Sequence, residues 1–196
     1  MRFPPVPLSL RDGRPAQVRE ATRGDGPALL ELERAMVLDR HGVVKRLEEL
    51  PVDAVAFMSR REAAGLHRLD GTAFALVVTD AHGALLGEAS ILRHGFQMLR
   101  HTGVLGIGVH LSAQGLGVGR ALMEHLLTWV RAHRDPDGGA VTRVELHVRA
   151  DNTKAVALYR SMGFVIEGTQ RAHLRVDDGT YVDGLIMGLL LDASRA

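Results

Sequence analysis

Gln114-Gly115-Leu116-Gly117-Val118-Gly119-Arg120-Ala121 follows an apolar run, Val104-Leu105-Gly106-Ile107-Gly108-Val109, and opens into an apolar-periodic segment, Ala121 to Ala132. The pattern predicts a strand, a glycine-rich turn and a helix. Such a turn suits a phosphate. The first turn of a helix carries N–H groups without intrahelical partners, and the macrodipole adds partial positive charge there. Glycines let an anion reach the backbone without meeting a Cβ. The alternative is a tight strand-to-helix turn with no ligand.

Spacing excludes two common phosphate loops. A Walker A loop ends in Gly-Lys-Ser/Thr, and the chain contains no such triplet. The dinucleotide fingerprint G-x-G-x-x-G fails in both frames. Counting from Gly115, the third glycine is replaced by Arg120; counting from Gly117, by Leu122.

A second segment carries its own pattern. Val144-Glu145-Leu146-His147-Val148-Arg149 reads as a strand. Asp151-Asn152-Thr153 supplies N-cap chemistry, Lys154 to Met162 reads as a short helix, and Gly163 takes the position of a C′ glycine. Gln114-x-x-Gly117-x-Gly119 and Asn152-x-x-Ala155-x-x-Leu158-Tyr159-x-x-x-Gly163-Phe164, in that order, resemble the two hallmark segments of the GNAT acetyltransferase superfamily. The resemblance covers roughly Val18 to Leu191.

The resemblance implies a fold, a donor and roles. The fold class is α/β, a GNAT fold: a mixed, mostly antiparallel central sheet with helices on both faces. One acetyltransferase domain would span 1–196, with an extended arm or hairpin at 1–16 and an acetyl-CoA-binding core at 104–164. Gln114, Gly115, Leu116, Gly117, Val118, Gly119 and Arg120 would hold the pyrophosphate of acetyl-CoA. Ile107, Gly108 and Val109 would hydrogen-bond its pantetheine arm as a neighbouring strand would, with the Val109 N–H facing the thioester carbonyl. Asn152 would touch the cofactor, cap its helix, or do both. Tyr159 would give a proton to the departing thiolate; the alternative is a core tyrosine on an amphipathic helix. His147 stands five residues before Asn152, a position that resembles the one held by a glutamate base in relatives that acetylate protein N-termini. An imidazole there could accept a proton near neutral pH or could be a structural, hydrogen-bonded histidine. Glu88, Glu145 and His110 are further candidates for the base, as is a water relay. Leu111 departs from the proline that many relatives have two residues after Val109, which changes loop rigidity. The activity implied is transfer of acetyl to a primary amine by direct attack in a ternary complex. The acceptor is a small amine, an amino acid or an antibiotic, or alternatively a protein N-terminus. A non-catalytic acyl-CoA-binding module is a further alternative, against which Tyr159 weighs.

Composition bounds the rest. The chain has 196 residues, 46% of them hydrophobic, enough for a real core. It has no cysteine, so disulfides, thiolate metal sites and a cysteine nucleophile are excluded, and no metal is expected. The net charge of +1 indicates neither a nucleic-acid footprint nor a polybasic membrane patch. No apolar run approaches ~20 residues, and the N-terminus lacks a secretory apolar region, so a cytoplasmic protein is expected, and a homodimer is possible. Lysine occurs only at Lys45 and Lys154; the other basic residues are arginine.

Outside the two motifs the pattern is coarser. Leu8 to Ala21 reads as a hairpin turning at Asp12-Gly13, after an extended arm over residues 1–7. Thr22 to Asp25 caps a helix from about Pro27 to Val37. Residues 38–67 suggest one or two helices interrupted by Pro51. Thr72–Thr79 and Ala84–Arg93 read as strands around an Asp80–Gly83 turn, and 94–102 as a polar connection. Two strands flank Asp177-Asp178-Gly179 after Phe164. Gly106 and Gly108 are weak strand formers, so they mark a bulge, a close backbone approach or relief of crowding.

Overall fold

The computed structural model describes residues 3–39, 43–65, 73–135 and 137–191. Eight strands form one sheet: β1 (Val6–Ser9), β2 (Pro15–Glu20), β3 (Ala73–Asp80), β4 (Leu85–Arg93), β5 (Thr102–Val109), β6 (Arg143–Arg149), β7 (Val165–Arg175) and β8 (Tyr181–Leu190). Their order is β1-β2-β3-β4-β5-β6-β8-β7. Every neighbouring pair is antiparallel except β5 and β6. Those two are joined by helix α3 (Val118–Ala132), and a crossover of that length is what a parallel pair requires. The other helices are α1 (Gly26–Asp39), α2 (Ala54–Ala63) and α4 (Thr153–Ser161).

Helices cover both faces of the sheet, and the period-2 alternation of the strands decides which. On β3, Phe74, Leu76 and Val78 pack with Leu122, Leu126 and Val130 of α3. Val156 and Tyr159 place α4 in the same cluster. Val77 points the other way, into a smaller cluster with Leu29 and Leu30 of α1 and Phe57 of α2. No described helix is long and apolar enough to cross a membrane.

The structure makes four expectations more specific. The N-terminal hairpin, read over Leu8–Ala21, runs on to Glu20 and joins the sheet: β2 pairs with β3, and Val18, fully buried, sits opposite Val78. Among the described residues of 38–67, α2 is capped by Asp53 (Oδ1 accepts the Ala56 N–H at 2.8 Å) and a 3-10 turn forms at Leu47–Glu49, with Pro51 between them; 40–42 and 66–67 lie outside the described residues. Helix α3 begins at Val118, not Ala121, so half of the glycine-rich run is already helical. The β4–β5 register is continuous, so Gly106 and Gly108 mark no bulge. At Gly108 the reason is close approach: a Cβ would collide with the sulfur of Met36 on α1.

The entry into α1 is fixed electrostatically. Asp25 accepts hydrogen bonds from Arg19 at 2.6 and 2.9 Å and from the Thr22 N–H at 2.7 Å. Burial pushes its carboxyl up, but these donors win and hold it at about 2. A depressed carboxylate contributes stability that is present above the unfolded value of 3.8 and is lost as pH falls through about 2. Asp25→Asn is therefore expected to lower stability at neutral pH and to flatten the acid limb of unfolding in that window. Urea melts across the acid range check this; an unchanged slope would show that the cluster is not coupled to folding.

Candidate active site

The central feature is a fork between β5 and β6. They pair only at Thr102↔Arg143, Gly103↔Val144 and Val104↔Glu145. Beyond that, Leu105–Val109 and Leu146–Arg149 diverge, each still paired to its outer neighbour, β4 or β8. The hydrogen-bond parity of β5 is set at its end, where the His110 N–H donates to the Leu86 carbonyl at 2.9 Å. In an antiparallel ladder such pairs alternate, so the N–H and C=O of Val109 and Ile107 face away from β4 and into the fork. Inside a sheet, such groups call for a partner strand or a ligand with amides of its own.

The glycine-rich loop closes the mouth of the fork. Gly115 and Gly117 adopt φ of +77° and +94°, which an L side chain rarely takes. Gly117 is the N-cap of α3, and no side chain caps the helix. The N–H groups of Val118, Gly119 and Arg120 consequently have no acceptor among the described residues. Nothing lies within 4 Å of where a Cβ on Gly115 would stand. Uncapped donors at an open helix N-terminus fit an anion. Gly119 has a different cause, packing within the protein: a Cβ there would meet Leu158 Cδ2 at 3.2 Å and Val109 Cγ2 at 3.6 Å. The side-chain amide of Gln114 turns back to the Val109 carbonyl at 3.5 Å, and Arg120 reaches Ser161 Oγ at 2.9 Å, tying the loop to β5 and to the end of α4.

The proposed acid and base lie on opposite faces of the fork. Tyr159 is on the α3 side, only 7% exposed, with its ring centroid 6.0 Å from that of Phe164. Burial pushes its phenol up to about 12. Asn152 Oδ1 accepts the Ala155 N–H at 3.2 Å, so the cap is formed and its amide nitrogen is left for other contacts. On β6, Val144, Leu146 and Val148 are buried under the helices, while His147 is exposed on the far face with Glu145.

Hydrogen bonding separates the candidate bases. Glu88 is paired with Arg61 of α2; burial pushes its carboxyl up and the guanidinium opposes the shift. Glu145 lies 3.4 Å from Arg143 and 3.6 Å from His94. His110 spends Nδ1 on Ser112 Oγ at 2.9 Å. His147 alone of the four makes no hydrogen bond or ion pair with a described residue. No group of described residues could hold a metal ion.

Tertiary contacts add residues that the sequence pattern did not indicate. Arg61 and Met36 come from α2 and α1, whose periodicity announces helices but not what they touch. Arg149 donates to the Val43 carbonyl at 3.3 Å, bringing Val43 to the end of β6. Arg46 reaches Asp177 in the β7–β8 turn at 3.2 Å.

Comparison with known proteins shows the family. The family model described as the acetyltransferase (GNAT) family matches residues 42–164. The chain is 34% identical over 169 residues to the N-alpha-acetyltransferase RimI of Mycobacterium tuberculosis, covering 84% of this chain and 88% of that protein. It is 39% identical over 102 residues to a mycothiol acetyltransferase of Acidothermus cellulolyticus, which is 51% of this chain but 29% of that protein. Among solved structures it resembles a protein from Salmonella typhimurium held with its cofactor acetyl-CoA, at 25% identity and a TM-score of 0.75, covering 92% of this chain and 96% of that one. The match runs through the loop, α3, the forked strands and the Asn152 segment, and on that basis this chain belongs to the GNAT acetyltransferase family and is an acetyl-transferring enzyme.

Proposed function

We propose that the enzyme uses acetyl-CoA to acetylate a primary amine, and that this amine is the α-amino group of a protein or peptide N-terminus. The observation that carries the reading is the fork, with the Val109 N–H directed into it and an unengaged imidazole, His147, on its far face. Likeness to RimI over most of both chains supports the acceptor class. The partial likeness to a mycothiol acetyltransferase favours a small-molecule amine as the second reading.

When bound, acetyl-CoA supplies an activated acetyl thioester. The N–H groups of Val118, Gly119 and Arg120 hold its pyrophosphate at the positive end of α3. Ile107 and Val109 offer the backbone edge that pairs with pantetheine amides, and the Val109 N–H polarises the thioester carbonyl. His147 takes one proton of the acceptor ammonium, freeing a lone pair to form the C–N bond as the C–S bond breaks; the nitrogen then releases its second proton, which restores the Tyr159 phenol after that phenol has protonated the sulfur. Tyr159 donates to the departing sulfur. A phenol at about 12 is a weak acid toward an ordinary thiolate. The burial that raises the phenol also raises a thiolate generated beside it, which brings the two closer in proton affinity.

Tyr159→Phe keeps the ring and removes the proton. Turnover is expected to fall by roughly 10²–10⁴ with little change in acetyl-CoA affinity, measured by steady-state kinetics and calorimetry. Because the wild-type phenol stays protonated up to about 12, kcat is not expected to decline where an ordinary tyrosine would ionise.

An imidazole base works only when neutral, so activity rises with pH along an acid limb. In His147→Gln that limb is expected to shift or vanish, and an acceptor with a less basic amine should partly restore the rate. A variant that keeps the wild-type pH profile would remove His147 from the chemistry.

The acceptor class is read by offering peptides with free α-amino groups, the same peptides blocked at the N-terminus but carrying lysine, and small amines and amino acids. Mass spectrometry is expected to place acetyl on the α-amino group, with kcat/KM highest for the free peptides. Faster turnover of a small amine would replace this acceptor assignment with the second one.

A further inference from the structure

We propose that the tip of the N-terminal hairpin is part of the coenzyme A phosphate site, with Arg11 as its positioning residue. The proposal rests on the reading that the 114–120 loop holds those phosphates.

The tip is rigidly placed. Leu10 is 3% exposed in the main core, and the turn is closed by Leu10 N–H to the Arg14 carbonyl and Gly13 N–H to the Leu10 carbonyl, both 2.9 Å. Arg11 comes directly after Leu10 and meets the loop twice. Its backbone N–H donates to the Leu116 carbonyl at 3.1 Å, and its Nη1 donates to the Gly115 carbonyl at 3.3 Å. These residues are 104 apart in the sequence for the side-chain bond. Arg11 Cγ is also 3.9 Å from where a Cβ on Gly117 would stand.

The contact acts on the loop in two ways. A trans peptide points its C=O and N–H in opposite directions. Holding the Leu116 carbonyl toward the hairpin therefore turns the Gly117 N–H away from it, toward the uncapped start of α3. The bond also occupies carbonyl oxygens whose partial negative charge would oppose an anion. In addition, the guanidinium brings a full positive charge to the loop. A guanidinium has five N–H donors, and Arg11 spends one on Gly115 and makes no ion pair among the described residues. The neighbouring Arg14, by contrast, is paired with Asp12 at 2.8 Å, which also neutralises the one carboxylate of the tip.

The test is calorimetric titration of CoA into the full-length wild type, Arg11→Gln and Arg11→Lys, with acetyl-CoA kinetics alongside. Arg11→Gln is expected to raise the Kd for CoA and the KM for acetyl-CoA about tenfold, the scale of an exposed charge-assisted contact, with kcat at saturation unchanged. Arg11→Lys should recover part of the loss. The difference between wild type and Arg11→Gln should shrink at about 0.5 M salt, because screening weakens a charge contribution but not a packing one. Repeating the titration with 3′-dephospho-CoA locates the effect: a retained loss assigns it to the pyrophosphate, an abolished loss to the 3′-phosphate. An Arg11→Gln protein that binds CoA as tightly as wild type, or whose loss is independent of salt, overturns the proposal. A wild type that fails to bind CoA overturns instead the assignment of the loop.

Discussion

The constraint on which this structure depends is that backbone N–H and C=O groups within a sheet must find partners. β5 and β6 satisfy this for three residue pairs and then part. The site is organised around that parting. The crossover through α3 makes the pair parallel, and the two strands keep their outer neighbours, so the fork opens without unravelling the sheet. The N–H and C=O of Ile107 and the N–H of Val109 face that fork, and the Val109 carbonyl is met by the Gln114 amide at 3.5 Å.

A fork needs a closed end as much as an open one. Here the closed end is clamped by charge and chain. Arg93 and Asp135 form a buried pair, Arg93 Nε donates to the Arg100 carbonyl at 2.8 Å, and Arg100 lies 3.5 Å from Asp135. The His101 carbonyl accepts from Thr142 and Arg143, at 2.9 and 3.2 Å, where β6 begins. Removing one partner of such a buried pair leaves an uncompensated charge, so this end resists opening. The open end is held differently, by contacts that come from far away in the chain: Met36 against Gly108, Arg11 on the loop carbonyls, and Arg120 on Ser161.

The glycines of the loop illustrate how one composition serves separate needs. Gly115 and Gly117 supply left-handed backbone, and space is left beside Gly115. Gly119 is helical and is small because Leu158 and Val109 stand against it. Its smallness brings α3, α4 and β5 together at the point where the fork begins to be useful. A motif of this kind records backbone conformation and packing in the same letters.

The sequence by itself determined the main element types, the strand, glycine-rich loop and helix, and the second segment with its cap, its tyrosine and its closing glycine. These are local matters: period, capping and backbone permission act over a few residues and are legible in one segment. The alternation on β6 also foretold that Glu145 and His147 would share a face apart from Val144, Leu146 and Val148. It could not tell which of the candidate bases would be left without a partner, because Arg61, Arg143, His94 and Ser112 reach three of them by routes that periodicity does not encode. Nor did Arg11 carry any mark distinguishing it from a solvated turn residue. Only the register of β2 on β3 brings that turn to the loop more than a hundred residues away. Local propensity chose the parts; the pairing of strands distant in sequence decided which charges meet, which remain available, and where the sheet opens.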